Sequence, residues 1–314
     1  MHIPDGFLST DVAAATWAVA GVGVAAALRA ERRDPQPMPA GILGATAAFV
    51  FAAQMINVPV TPGTSGHLVG AALAAVLLGP WRALIVMTVV LAVQALLFQD
   101  GGMTALGANL VDMGLGGVLT GYAVAALVTR GRPSPRGYVV AGILGAFAAT
   151  LVGATLTAVW LGVSGLYPLS GIVPIMLVTH VAIGLLEAAL TGAVLVTVVR
   201  WRPDLLKGVS AEGRLANPVA VVAGVLGLAL GIAAFLSPFA SSLPDGLDSA
   251  AERLGFATRA TAAWSAPIPD YVVPFVSSAR IATAAAGAIG TLAVAIIAWV
   301  ISRGLRTTRH AAHQ

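Results

Sequence analysis

Hydrophobic residues are concentrated in nine long runs along the chain, separated by short polar or glycine- and proline-rich stretches. An α-helix needs roughly 20 mostly apolar residues, or somewhat fewer, to cross the hydrocarbon core of a bilayer. The pattern therefore predicts an all-α fold, a polytopic membrane bundle in which a group of seven helices is followed by a pair. The predicted spans are residues 11–28, 40–57, 66–79, 82–98, 104–128, 139–163, 172–199, 217–237 and 280–302.

The third and fourth predicted spans are separated by Gly79-Pro80-Trp81-Arg82. Proline removes a helical hydrogen bond, so this sequence marks either a loop between two spans or a kink within one. Losing the break would reverse the side of every later loop. With the break counted and the N-terminus outside, all but three of the 17 basic residues face the cytoplasm, which the positive-inside rule favours.

This orientation places three polar motifs on the external face of the inner membrane: residues 1–10, 58–66 and 99–103. The first ten residues carry no basic stretch of the kind that begins a cleavable signal peptide. We therefore expect the N-terminus to be retained and to lie on the same face as the other two motifs.

The composition limits both the class of protein and the kinds of metal ligand that it can offer. The chain is 58% hydrophobic and 10% charged, with a mean hydropathy of +0.91, which excludes a soluble globular protein. It contains no cysteine, so any metal must be bound through nitrogen or oxygen. The sequence pI is about 10.1, but the basic residues form short clusters between apolar runs. These clusters are typical of topology signals, and we predict no nucleic-acid partner.

Residues 201–216 are the most polar internal stretch and divide the sequence into two predicted modules. Residues 1–200 form the predicted seven-helix domain. Residues 217–314 form a predicted two-helix module with an external loop over residues 238–279. The linker between them is predicted to be cytoplasmic.

The second residue of the chain, His2, gives the N-terminus the geometry of a metal chelator. The terminal amine of Met1, the backbone nitrogen of His2 and the His2 imidazole can close two fused rings around one ion. A bulky second residue disfavours removal of the initiator methionine, which would preserve this spacing. Deprotonated amide nitrogen favours square-planar coordination of late divalent ions such as Ni²⁺.

A fourth nitrogen would complete such a site, and His67 is the candidate because it ends the external loop 58–66. His180 lies in the seventh predicted span, and His310 and His313 lie in the cytoplasmic tail. The alternative is that His2 is an ordinary polar residue near the start and His67 a helix cap.

Four motifs resemble the substrate-binding membrane subunit of cobalt/nickel energy-coupling-factor (ECF) transporters, the CbiM/NikM type. They are MHIPDGFLS at 1–9, PGTSGHLVG at 62–70, LLFQDGGMTALGAN at 96–109 and HVAIGLLEAALTG at 180–192. In this family a small residue is common where Gln99 stands here. The resemblance spans residues 1 to about 200.

The C-terminal module resembles the PDGLE segment of the small companion subunit, the CbiN/NikN type. It carries PDGLD at 244–248 and AERLGF at 251–256, with Asp248 in place of the motif's glutamate. The chain therefore resembles a fused form of the two subunits.

The resemblance implies that the Met1 amine, the His2 amide and imidazole nitrogens, and His67 bind the transported Ni²⁺ or Co²⁺, with no further cofactor. It also implies a separate transmembrane scaffold (T) subunit and cytoplasmic ATPase (A) subunits as partners. A ligating imidazole usually donates its other N–H to an oxygen acceptor. The candidates for that oxygen acceptor are Asp5, Asp100 and Asn109.

Two polar residues, His180 and Glu187, lie two helical turns apart in the seventh predicted span. Buried polar groups in a membrane are costly, which makes this intramembrane pair a candidate for ion transit. The alternative is that both form hydrogen bonds that fix helix packing.

Two other functions fit parts of the sequence. Gly63-Thr64-Ser65-Gly66 fits the G-x-S-G pattern of rhomboid-like serine proteases, with His180 as a base for Ser65. A proton-coupled secondary carrier would use His180 and Glu187. The sequence has no G-x-x-x-x-G-K-[ST] motif, so we predict a transporter subunit rather than an ATPase or other enzyme.

Overall fold

The computed structural model of the protein describes residues 1–35, 38–130, 132, 134–206 and 217–311. In these residues the fold is a bundle of α-helices with one small β-hairpin, which confirms the predicted fold class. The helices are α1 (Thr10–Arg33), α2 (Ala40–Gln54), α3 (Ala71–Leu78), α4 (Pro80–Val93), α5 (Leu106–Asn109), α6 (Gly117–Thr129), α7 (Pro135–Val163), α8 (Leu169–Trp201), α9 (Pro218–Gly231), α10 (Gly246–Leu254) and α11 (Ala279–Ala311). Most of the predicted linker, residues 207–216, and His313 lie outside the described residues, as does the side chain of His310.

Seven helical stretches in the described part of the chain are long and apolar enough to cross a membrane. They are Thr10–Arg33, Pro80–Phe98, Leu106–Thr129, Pro135–Val163, Leu169–Trp201, Pro218–Phe239 and Ala279–Leu305. Helix α2 is apolar but has only 15 residues. Seven of the nine predicted spans therefore correspond to full-length helices.

The predicted third span, residues 66–79, is wrong in extent. Helix α3 has only 8 residues, so it covers roughly 12 Å of a hydrocarbon core about 30 Å thick. The predicted break before α4 is confirmed, because Gly79 ends α3 with a φ of 79° and Pro80 begins α4.

The residues before α3 form an antiparallel hairpin instead of a plain loop. Strands β1 (Val58–Thr61) and β2 (Thr64–Gly66) pair Val58 with Gly66 and Pro59 with Ser65. Gly63 supplies the positive φ of 75° that the turn requires. His67 follows the hairpin directly, so the strand pairing fixes the position of its backbone.

Two π-helical stretches flank the loop of residues 99–105. Gln94–Phe98 continues α4, and Leu110–Gly116 joins α5 to α6. Bulges of this kind are frequent at functional sites because they shift the helical register locally. The loop between them carries Asp100.

The second module packs on the first through both of its long helices. Helices α11 and α9 both pack against α2, while α7 and α8 pack along each other. At the end of the bundle away from the N-terminus, Arg82 donates hydrogen bonds to Glu31 over 2.7 Å and to Asp34 over 2.6 Å. These ion pairs join the end of α1 to the start of α4.

The predicted external loop 238–279 contains helix α10, which the sequence analysis did not predict. The Asp245 carboxylate caps it, accepting hydrogen bonds from the backbone N–H groups of Leu247 and Asp248. Leu247 and Phe256 belong to the same hydrophobic core as Met1, Ile3 and Phe7. The second module therefore covers the N-terminal strip.

Candidate metal-binding site

The N-terminal strip, residues 1–9, is held in the bundle by a backbone hydrogen bond to the loop 99–105 and by hydrogen bonds to a side chain of α5. The Asn109 side chain accepts a hydrogen bond from the Ile3 N–H over 2.8 Å and donates one to the Ile3 carbonyl over 3.1 Å. Gly102 also donates to that carbonyl over 2.9 Å. These bonds hold the residue immediately after His2 from both sides.

A close approach of two backbones explains Gly102. A β-carbon at this position would lie 2.2 Å from the backbone nitrogen of Asp5. Any side chain larger than hydrogen would push the strip away from the loop. Gly102 therefore allows the loop to pack closely over the strip.

Asp5 clamps the strip to both modules. One carboxylate oxygen accepts hydrogen bonds from the backbone and hydroxyl of Thr104, over 2.7 and 2.5 Å, and the other accepts from the Ala263 N–H over 2.9 Å. Burial acts to raise the pKa of Asp5, but these hydrogen bonds outweigh it and lower the pKa. A charged carboxylate at this point ties residues 5, 104 and 263 together.

The terminal amine of Met1 is buried and forms an ion pair with the Asp245 carboxylate of the second module. Burial favours the neutral form of Asp245, but the adjacent ammonium and its hydrogen bond hold the pKa of this carboxyl well below its usual range. The amine is therefore fixed in position by a residue 244 positions away.

The imidazoles of His2 and His67 face each other with ring centroids 5.7 Å apart. Their residues are 9% and 8% exposed. In His67, Nδ1 lies 3.1 Å from the Leu68 carbonyl, which fixes a tautomer with the proton on Nδ1 and leaves Nε2 free to bind a metal. In His2, Nε2 is buried and has no hydrogen-bond partner among the described residues.

Both imidazoles are held in the neutral form. Burial lowers the pKa of His2 to about 4, and burial followed by the nearby terminal ammonium lowers the pKa of His67. A neutral imidazole is the form that ligates a metal ion, because its unprotonated nitrogen offers a lone pair. The amine and two metal-competent rings thus converge in one buried place.

The three residues predicted to accept a hydrogen bond from a ligating imidazole take different positions. Asp100 lies nearest to an imidazole, with Oδ1 at 3.6 Å from His2 Nδ1. Asp5 and Asn109 hold the backbone of the N-terminal strip, as described above, rather than a ring nitrogen. Their hydrogen bonds position His2 through the main chain.

The intramembrane residues His180 and Glu187 have separate partners. His180 Nδ1 lies 2.7 Å from the Met176 carbonyl one turn earlier in α8. Glu187 accepts hydrogen bonds from the backbone N–H groups of Val69 and Gly70, over 2.5 and 2.9 Å, at the start of α3. A carboxylate at this point accepts hydrogen bonds from N–H groups that have no partner within the helix. Its negative charge also interacts favourably with the positive end of the helix dipole. Glu187 therefore fixes the segment that carries His67.

The proposed serine–histidine arrangement of a protease is not formed. The Ser65 hydroxyl donates to the carbonyls of Leu243 and Pro244, and His180 Nδ1 is directed to its own helix. Ser65 joins the hairpin to the second module. Its role in the structure is thus to hold the two modules together.

Side chains alone do not provide a metal site in the described part of the chain, where no group of three or more His, Cys, Asp or Glu residues is arranged to bind an ion. A site at His2 and His67 needs the main-chain nitrogens of the N-terminus. The sequence analysis missed Asp245 as the partner of the amine, although it identified the PDGLD motif that contains this residue. It also missed Tyr271, whose hydroxyl donates to Asp100 over 2.6 Å.

Comparisons with known proteins match two family models to separate parts of the chain. Residues 2–205 match the family model described as the cobalt uptake substrate-specific transmembrane region. Residues 219–307 match the model of the PDGLE domain. These matches confirm the resemblance predicted from the sequence motifs.

Similar proteins include full-length relatives. The chain is 34% identical to the putative fused nickel transport protein NikMN of Archaeoglobus fulgidus, covering 98% of this chain and 100% of the relative. It is 34% identical to the fused nickel transport protein NikMN of Rhodobacter capsulatus, covering 99% and 100%. A crystal structure of a truncated transition metal transporter aligns with a TM-score of 0.58 at 32% identity, covering 64% of this chain and 99% of that one.

Proposed function

Because the chain belongs to the cobalt uptake substrate-specific transmembrane family and carries a PDGLE domain, we propose that it is the metal-capturing subunit of an ATP-driven ECF importer for Ni²⁺ or Co²⁺. The observation that carries this proposal is the convergence of the Met1 amine, His2 and His67 in one buried site. The chain itself is a membrane transport protein and not an enzyme.

The site offers four nitrogen donors to one ion. The Met1 amine and the His2 backbone nitrogen close a five-membered ring, and the His2 backbone nitrogen and Nδ1 close a six-membered ring. His67 Nε2 supplies the fourth donor. Binding requires that the Met1 ammonium and the His2 amide N–H each release a proton to solvent and that the amine leave Asp245. One divalent ion then takes the place of two protons.

The orientation follows from the same site. We place the N-terminal strip, the β-hairpin and the loop 99–105 at the external face of the inner membrane, which leaves the Arg82 ion pairs at the cytoplasmic end. The positive-inside distribution of basic residues supports this placement. An imported ion is then captured where it arrives.

Energy must come from other chains, because the sequence has no phosphate-binding motif of the Walker type. We assign that role to separate cytoplasmic A subunits, coupled through a membrane-embedded T subunit. Within this chain, residues 1–200 bind the ion, and residues 217–314 hold the binding strip in place. The cytoplasmic linker 201–216 joins the two.

Among the two ions, Ni²⁺ suits the site better. Four nitrogens in a plane, one of them a deprotonated amide, are the ligand set that Ni²⁺ prefers, although nitrogen ligands also bind Co²⁺. The two fused relatives are named as nickel transport proteins.

The test is to lengthen the N-terminus. Three residues added before Met1 move the amine away, so we expect Ni²⁺ affinity of the purified protein to fall by more than the roughly 100-fold that outer-shell changes cost. Three residues are used because a single one would place the histidine third and form a different terminal chelate. The measurement is isothermal titration with Ni²⁺ and with Co²⁺.

The control carries the same three residues at the C-terminus, and both proteins are compared by thermal unfolding. Unchanged Ni²⁺ binding by the N-terminally extended protein would contradict the proposed site. Metal uptake by this chain alone in vesicles, without ATP and sensitive to an uncoupler, would instead favour a proton-coupled carrier.

A further inference from the structure

Tyr271, in the second module, reaches the candidate site through Asp100. The tyrosine hydroxyl donates a hydrogen bond to Asp100 Oδ2 over 2.6 Å. The other oxygen of the same carboxylate, Oδ1, lies 3.6 Å from His2 Nδ1. Nδ1 is the ring nitrogen that the terminal chelate uses. Tyr271 thus fixes the carboxylate that faces the metal-binding edge of His2.

The segment around Tyr271 docks on the π-helical end of α4. The Tyr271 ring stacks on Phe98 with centroids 4.5 Å apart and planes at 12°. Trp264 Nε1 donates to the Leu96 carbonyl over 2.9 Å, and the Ile268 N–H donates to the Leu97 carbonyl over 3.0 Å. These bonds satisfy carbonyls that the helix end leaves free. The tyrosine is therefore held rigidly beside Asp100.

The backbone at this point is strained. Asp270 and Tyr271 have φ values of 53° and 58°, a left-handed conformation that is uncommon for residues other than glycine. Such conformations persist where surrounding contacts impose them, and they cluster at functional sites. The strained turn directs the tyrosine hydroxyl inward to the carboxylate.

We propose that Tyr271 is a positioning residue for metal capture, and that it acts by orienting the Asp100 carboxylate toward His2. The proposal rests on the proposed function, because it assumes that the ion binds at Met1, His2 and His67. It assigns to the second module a direct influence on the metal site, in addition to the pairing of Asp245 with the amine.

The chemistry of the contact supports this role. Burial, and then the neighbouring Asp100, raise the pKa of Tyr271 well above its ordinary value. The phenol therefore stays protonated and donates a hydrogen bond to the carboxylate. A carboxylate beside the His2 donor nitrogen offsets the charge of a divalent ion in a poorly hydrated place. Because Asp100 Oδ2 is hydrogen-bonded to Tyr271, Oδ1 of the same carboxylate is held toward the His2 imidazole.

The experiment compares Tyr271→Phe, Asp100→Asn and the double variant in the full-length purified protein. Tyr271→Phe keeps the ring stacked on Phe98 and removes only the hydroxyl. We expect each single variant to lower Ni²⁺ affinity about 10-fold, as removal of an outer-shell partner typically does. The double variant should bind Ni²⁺ no more weakly than Asp100→Asn alone, because both substitutions act through the same contact. The visible spectrum of bound Co²⁺ should shift in all three.

Tyr167→Phe is the matched control, since it removes a hydroxyl from a second tyrosine, which packs against Phe256, and should leave both affinity and spectrum unchanged. A purely structural role for Tyr271 predicts a lower thermal midpoint for Tyr271→Phe with an unchanged Co²⁺ spectrum, and that result would overturn the proposal. Additive losses in the double variant would also overturn it. If the wild-type protein bound neither Ni²⁺ nor Co²⁺, the proposed function would fail first, whereas normal binding by Tyr271→Phe would overturn only the role of Tyr271.

Discussion

Three buried histidines approach the same end of this protein, and they differ in what surrounds them. His2 and His67 lie in irregular segments, face each other at 5.7 Å and share their environment with a terminal amine and Asp100. His180 lies within the regular helix α8, with Nδ1 at the Met176 carbonyl. Its Nε2 is buried without a hydrogen-bond partner among the described residues and lies close to Gly246.

Burial alone therefore does not distinguish the two proposed ligands from His180, which is buried as well. A regular helix supplies few other donors around a histidine, because its backbone groups are already paired. Irregular segments bring donors from distant parts of the chain, including main-chain nitrogens. The same turn of the second module touches both histidine environments, since Asp245 binds the amine and Gly246 packs on His180.

The largest expected effect comes from removing a ligand. His67→Ala leaves three nitrogens for the ion, so we expect Ni²⁺ affinity to fall by more than about 100-fold, measured by calorimetric titration. His180→Ala is the matched control and should change the affinity by less than about twofold, if His180 has only a packing role. Equal losses in both variants would erase the distinction between the two kinds of histidine.

Asp245→Asn tests the pairing of the second module with the amine. Asparagine still caps a helix, so the change removes mainly the ion pair. We expect the free energy of unfolding to fall by roughly 3 kcal/mol, because a buried charge loses its partner. Thermal and denaturant unfolding in detergent measure this change.

The control for that variant is Glu252→Gln, which removes the same charge from an exposed residue of the same helix. Its expected effect is about 0.5 kcal/mol or less. Similar losses from the two substitutions would mean that general charge, and not contact with the amine, accounts for the effect.

The smallest expected effect concerns Gly246, at the start of α10, where it packs against His180. A β-carbon at Gly246 would lie 2.6 Å from His180 Cε1, so Gly246→Ala should destabilise the protein by about 1–3 kcal/mol through overpacking. Adding His180→Ala makes room and should restore part of the loss. Gly224→Ala, where a β-carbon meets nothing within 4 Å, is the control and should not destabilise the protein. Absence of any recovery in the double variant would contradict the packing role of His180.

Much of the fold was predictable because long apolar runs leave few alternatives to membrane helices. The prediction was wrong where the run was short. Residues 66–79 are apolar enough for a span, but the chain uses them for the end of a hairpin, an irregular segment and an eight-residue helix. Helix α10 was missed because its pattern is short and lies in a stretch rich in turn residues.

The site was predictable only in part, for a related reason. The chelating potential of Met1 and His2 is local, so the sequence alone indicates it. The partners that hold them in place are not local, because Asp245 and Tyr271 are recognised only once the second module is folded over the first. The roles of Asp5, Asn109 and Glu187 likewise became visible as hydrogen bonds to backbone groups, which no sequence pattern specifies.

The ion pair between the Met1 amine and Asp245 has a consequence for the timing of biosynthesis. The amine precedes its partner by 244 residues along the chain. At about 5–20 residues per second, the N-terminal strip waits roughly 10–50 s before that carboxylate is synthesised. Until Asp245 is synthesised, the strip can contact only the first module, so the pairing of the amine forms after the whole first module has been made.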